Sequence, residues 1–368
     1  MSSHEFQGGP RRRFLTSVLA AGGAAYLPGC ATLAPADTLE SLYAAARREG
    51  SITYYGGGPI AAHRQAADGF SKMFPGIQVN IASGNSNELA PRIDQQLAAR
   101  KLEVDVTLLQ TVQDFDRWKR AGAMALYRGP TYGGVHEAFK DADGGSIGVR
   151  VSAIVYAYNG SLLAPADVPK SALDFLHPRF RGGKIISNYP HDDDVSLFNY
   201  HTIVQKYGWK WMDGLMANQP RFIRGHVGVA EEIARGRAIA SFDATVATAN
   251  MPTNKGRTKV SFPVDDLVPI FTLRCGIFKD CPHPNAARLF EAWLLSKDYQ
   301  ASAGMWPTRA DVPATGGLQP ITSYRLANNF REFVEDEALV ADLRKRFESY
   351  IGPIKGEPVL GPTPEPGS

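Results

Sequence analysis

His191-Asp192-Asp193-Asp194 is the most unusual local composition in this 368-residue chain. Consecutive carboxylates can cap a helix, since a side-chain oxygen accepts the free N–H groups of a first turn. They can also meet a cation. If Asp192 and Asp193, with Tyr189 in the same loop, face a cleft, three acids repel a bare phosphate and favour an amine, guanidinium or metal. Asp243 follows the apolar stretch Ile239–Phe242, where a carboxylate must be solvated, paired or turned to a ligand, because burying it alone is costly. Arg224 and His226 are candidate counter-charges for a ligand carboxylate or phosphonate. Tyr55 and the run Gly56-Gly57-Gly58 precede Pro59 and a helical pattern. Bare N–H groups of Gly57 and Gly58 at a helix start would favour a negative group, though the run can equally be a tight turn. Ser83, Asn85 and Ser86 add neutral donors.

Catalysis has little to stand on. The chain has no G-x-S-x-G, H-E-x-x-H or G-x-x-x-x-G-K-[ST], and no zinc-spaced cysteines. The expectation is a non-enzyme with no cofactor and no dedicated metal site. The rival is a secreted α/β hydrolase using Asp193 and Asp243 as an acid–base pair.

These residues need a scaffold of strands and helices in alternation. Helix over Leu39–Glu49, strand over Ser51–Tyr55, helix over Ile60–Met73, strand over Gly76–Ile81, helix over Leu89–Ala99 and strand over Val104–Leu109 read as a parallel sheet flanked by helices. Asn85 and Glu88 have the spacing of a capping box. Further on come strand Lys184–Ser187, helix Val195–Tyr207, Arg221–Ile223, helix Val229–Gly236, strands Ala238–Phe242, Val260–Pro263 and Val268–Phe278, and helix over Phe330–Tyr350. The carboxyl ends of such strands form a binding crevice. Four loops lie there: Tyr55–Pro59, Ser83–Glu88, Asn188–Asp194 and Phe242–Thr245; Arg224–Gly228 is a fifth candidate. Within Cys281–Ser296, Leu289, Phe290, Trp293 and Leu294 recur at helical spacing, with Asn285 placed as N-cap.

The first 36 residues read as an address. Arg11-Arg12-Arg13-Phe14-Leu15 opens an uncharged run to Leu27, a secretion signal whose arginines resemble a twin-arginine export motif. Leu27-Pro28-Gly29-Cys30 resembles a lipobox that would lipidate Cys30; cleavage after Ala34-Pro35-Ala36 would discard it. Residues 1–29 hold three arginines and one glutamate, so the formal charge of +3 falls to +1 without them. No basic patch suited to nucleic acid remains. Cys275 and Cys281 are then an even pair, expected as a disulfide in an oxidising compartment.

The wording of several segments is more specific than their periodicity. HPNAARLFEAWLLSKDYQ from His283, YYGGGPIAAHRQAADGFSKMFPGIQVN from Tyr54, GVRVSAIVYAYN from Gly148, SALDFLHPRFRGGK from Ser171 and RADV from Arg309 occur in the order and spacing of a known family. Together they resemble bacterial extracellular solute-binding proteins, in the branch of ferric-iron, aminoethylphosphonate and polyamine binders. Ala172 stands where the family usually has tryptophan. The resemblance implies a type II periplasmic-binding-protein fold: two α/β lobes, each a mixed, mainly parallel sheet flanked by helices, joined by crossing hinge strands. The lobes would span 37–152 and 153–268, with a return to the first lobe over 269–351 and a disordered tail over 352–368. It also implies a monomeric, periplasmic component of an ATP-binding-cassette importer, delivering a small cationic or zwitterionic solute to an inner-membrane permease. A ferric or other metal binder and a ligand-sensing subunit are alternatives. Iron-binding relatives carry an adjacent tyrosine pair after the region of Asp243, whereas DATVATANMP here has no tyrosine.

Overall fold

The computed structural model describes residues 37–302 and 306–359. The export signal, the lipobox with Cys30 and the last nine residues lie outside them. In chain order the elements are α1 (Leu39–Glu49), β1 (Ser51–Gly57), α2 (Ile60–Met73), β2 (Gln78–Gly84), α3 (Ser86–Ala98), β3 (Val106–Leu109) and α4 (Val112–Arg120). There follow β4 (Ile147–Asn159), β5 (Ile186–Asn188), α5 (Asp194–Tyr207), α6 (Lys210–Ala217), β6 (Arg221–Ile223), α7 (His226–Ala234), β7 (Ala240–Thr245), α8 (Val246–Ala249) and β8 (Thr258–Ser261). The last group is β9 (Val268–Ile277), α9 (Pro284–Leu294), α10 (Lys297–Ser302), β10 (Trp306–Pro307), β11 (Leu326–Ala327), α11 (Phe330–Glu335) and α12 (Glu337–Ile351). Among the described residues no helix is long and apolar enough to cross a membrane.

The strand order is β10-β4-β9-β3-β1-β2. β2, β1 and β3 run parallel, as short strands joined by helices must. β9 and β4 enter antiparallel. β4 serves two partners: Ile147–Ala153 pairs with β9, and Ile154–Asn159 pairs with β7 and β8. This strand therefore ties the first α/β layer to the second. β5 and β6 pair in parallel, and Ile185 bridges to Ala240 beside them.

Aromatic side chains fill both layers. Phe290 of α9 packs 4.9 Å from Tyr54 and 5.0 Å from Phe70, centroid to centroid. Each such buried ring stabilises by about 1.5–3 kcal/mol. Gly69 admits the indole of Trp293, which a Cβ there would meet at 2.7 Å. In the second layer Phe242 is surrounded by Tyr200, Trp211 and Phe175 at 5.1–5.4 Å. Trp211 donates its indole N–H to the carbonyl of Ala172 at 2.9 Å.

Several local expectations are corrected. Cys275 and Cys281 are free and buried. Cys275 is clamped in the sheet between Leu108 and Ile147. Cys281 lies beyond the end of β9, after a turn in which its N–H donates to Phe278 O at 3.4 Å. Asn285 does not cap α9. The helix starts at Pro284, and Glu49, at the end of α1, accepts the backbone N–H groups of Asn285 and Ala286 at 3.1 and 2.7 Å. α3 starts at Ser86, three residues earlier than its apolar pattern indicates, and Asn85 makes no side-chain cap bond. α7 likewise starts at His226. The C-terminal helix breaks at Asp336, which caps α12 through Leu339 N–H. In Gly352–Val359, the described part of the expected tail, Val359 N–H donates to Arg224 O at 3.0 Å.

Candidate functional site

β1 ends in glycines because two side chains press on it. A Cβ at Gly56 would lie 2.4 Å from the His63 ring, and one at Gly57 2.3 Å from Ser86 Oγ. His63, buried on α2, meets Gly57 O with Nε2 at 3.1 Å and Tyr54 Oη with Nδ1 at 2.8 Å. A carbonyl only accepts, so Nε2 carries the proton and Nδ1 receives the tyrosine O–H. Burial, then the nearby charge of Arg150, lowers the His63 pKa to about 3. His63 is a neutral brace.

That brace forms one wall of a cavity of about 170 Å³, lined by residues of both layers. By the same measure one water needs roughly 10–15 Å³. Among the helix N-termini that border it are those of α2, α3 and α7, represented by Ala61, Ser86 and His226. None of the three N-cap residues, Pro59, Asn85 and Gly225, makes a side-chain cap bond. First-turn amides without intrahelical partners combine with the helix dipole to favour an anion.

Arg150 completes the floor. It lies on β4 opposite Leu273, with Ser152 opposite Phe271, and all four line the cavity. Alternation puts Arg150 and Ser152 on one face, and a register shift between Gly148 and Arg150 re-aims the strand there. Arg150 is 8% exposed. No ion pair among the described residues includes it, and its Nε has no hydrogen-bond partner. A guanidinium so enclosed is stabilised by an incoming negative group.

Of the residues singled out by sequence, Gly57, Gly58, Asn85, Ser86, Asp193 and His226 line this cavity. The amide of Gly58 is not bare, since it donates to Gly84 O at 2.8 Å. Tyr55, Ser83, Tyr189, Asp192 and Asp243 do not line it. Tyr55 is core; its hydroxyl accepts from Gln96 and its ring carries Arg92. Ser83 pairs with Gly56 inside the sheet. Tyr189 packs against His191 and Phe222. Asp192 is clamped by Arg224 at 2.7 and 3.1 Å. Asp243, fully buried, accepts from Ser187 Oγ, Asn188 N and Ser196 Oγ at 2.9–3.2 Å.

Asp193 caps α5 through Val195 N and Ser196 N, both at 2.9 Å. Burial raises its pKa, with His226 opposing. Burial alone would lower the His226 pKa, but Asp243, 3.4 Å away, and Asp193 outweigh it and the net shift is upward. At the cavity wall Gln110 Nε2 donates to Asp193 at 3.1 Å; away from the cavity lining, Asn87 Nδ2 donates to Asp192 O at 3.0 Å and Gln113 Nε2 to Asp194 at 3.3 Å. These bonds join the two rims. Arg150, Ser152, His63 and Gln110 escaped sequence reasoning. The available signal was a lone arginine in the apolar stretch GVRVSAIVYAYN. Among the described residues no three His, Cys, Asp or Glu side chains gather to hold a metal.

A family model described as bacterial extracellular solute-binding protein matches residues 52–303. A 115-residue stretch is 30% identical to an Fe(3+)-binding periplasmic protein of Serratia marcescens, covering 31% of this chain and 33% of that relative, so the match spans about a third of its length. Iron-bound HitA from Pseudomonas aeruginosa superposes with a TM-score of 0.65 at 22% identity, covering 80% of this chain and 99% of that one. AfuA from Actinobacillus pleuropneumoniae, bound to fructose-6-phosphate, gives 0.69 at 17%, covering 82% and 98%. The likeness to these structures is one of fold.

Proposed function

Since the chain belongs to the bacterial extracellular solute-binding proteins, we propose that it is the periplasmic capture component of an ATP-binding-cassette importer. The 170 Å³ cavity is its solute site. One observation supports an anionic solute: Arg150 faces the cavity without an acidic partner among the described residues. The solute therefore carries a phosphonate, phosphate or carboxylate group. Asp193, on the α5 side, leaves a place for an ammonium, which favours a zwitterion of the aminophosphonate type. The phosphate of the sugar in AfuA is chemically in keeping with this. A polyamine would face Arg150 and three helix N-termini, and loses its support. Ferric iron loses support too, because the chain offers no tyrosine in DATVATANMP.

The protein works as a monomer of two lobes, 37–152 with 269–351, and 153–268. It is exported by its twin-arginine signal, anchored through Cys30, and delivers its solute to an inner-membrane permease. Thermal-shift titration of the mature protein with 2-aminoethylphosphonate, inorganic phosphate, spermidine and ferric citrate tests this. A bound anion at 100 times Kd adds about 2.7 kcal/mol of stability. Arg150→Gln should weaken anion binding by about 30-fold or more, the cost of removing one partner of an enclosed charge pair. Stabilisation by spermidine, undiminished in R150Q, would refute the reading.

A further inference from the structure

The chain continues past α12 and returns to the cavity. Gly352 turns the backbone at φ 90°, and Lys355, Gly356, Glu357 and Val359 border a groove with Arg224 and the start of α7. Val359 lines the same cavity as Arg150 and Asp193, and its N–H donates to Arg224 O at 3.0 Å. Two glycines make room for it. A Cβ at Gly225 would lie 2.7 Å from Val359 O, and one at Gly228 3.2 Å from Val359 Cβ. Arg224, to which the segment is tied, is also held by Asp192 and lies 3.5 Å from Glu88 on the opposite rim. The segment, α7 and both rims thus meet at one residue.

We propose that Gly352–Val359 is a built-in wall of the solute site and that Val359 limits the size of the solute admitted. The inference rests on this cavity being the solute site, but its position is testable without any solute. In the complete mature chain, hydrogen–deuterium exchange over 352–359 should be slower than in unstructured peptide. Exchange at the unstructured rate overturns the proposal. A chain ending at Ile351 should gain at least tenfold in affinity for phenylphosphonate relative to inorganic phosphate. Val359→Asp, in the complete chain, should lose at least tenfold in phosphate affinity, because its carboxylate faces the anion. An unchanged ratio together with unchanged phosphate affinity in V359D also overturns it. If neither probe binds any form, the anion reading fails, and the exchange result alone decides the wall.

Discussion

Asp243 shows how one residue type can serve two ends. Sequence leaves it solvated, paired or ligand-facing; in the structure it is a buried acceptor that fixes the start of α5 and holds His226. His226 then presents to the cavity a ring whose pKa lies above its ordinary value of about 6.5. The folded state holds this proton more tightly than the unfolded chain does. Its stabilising contribution is complete below pH ~6.5 and is lost as pH rises through the raised value. Asp243 and Asp193 are the charged groups that face it. His226→Gln should therefore remove about 1 kcal/mol of stability at pH 6, the size of a weak charge-assisted bond, and little at pH 9. Urea unfolding across that range measures the difference, and parallel curves would show that His226 carries no such proton.

At the scale of elements, α9 illustrates what periodicity reveals and what it hides. Leu289, Phe290, Trp293 and Leu294 are buried as their spacing requires. The cap, however, is Glu49, 236 residues away from Asn285, and no local pattern could supply it. Glu291 is a buried acid on the same helix, its carboxyl pushed up to about 8 by burial. The unfolded chain releases that proton near 4.5 and the folded chain near 8, so stability falls as pH rises between them. The ceiling is about 1.4 kcal/mol per pH unit. Glu291→Gln keeps the shape without the charge and should flatten this fall, with a higher melting temperature than wild type at pH 8. Calorimetric scans from pH 5 to 8 test it; an equal slope in both proteins would mean Glu291 is ionised when folded.

For the whole molecule, β4 is the strand shared by both layers, and the bonds of Asn87, Gln110 and Gln113 join the two rims, that of Gln110 at the cavity itself. Only a solute touching both sides can bias such a closure. Asn87→Ala with Gln110→Ala removes two rim bonds, the neutral one worth about 0.5–1.5 kcal/mol and the one to Asp193 up to about 3 kcal/mol. Small-angle scattering should show a larger radius of gyration for the double variant, restored towards wild type by 2-aminoethylphosphonate. Identical profiles for both proteins, with and without the solute, would remove hinge closure from the account.

The amino-acid sequence alone determined the order of strands and helices from Leu39 to Leu109, the apolar faces they bury and the glycine-ended strand beside the site. Those features depend on neighbours within a few residues, where propensity and periodicity act. Tertiary structure alone decided which groups converge: Arg150 aimed into the cavity while Asp243 is withdrawn beneath it, Cys275 and Cys281 kept apart, and Val359 laid against Gly225. Each of these depends on contacts between segments far apart in the chain, on a register shift in one strand, or on the space left by a missing Cβ. Local preference is blind to all three.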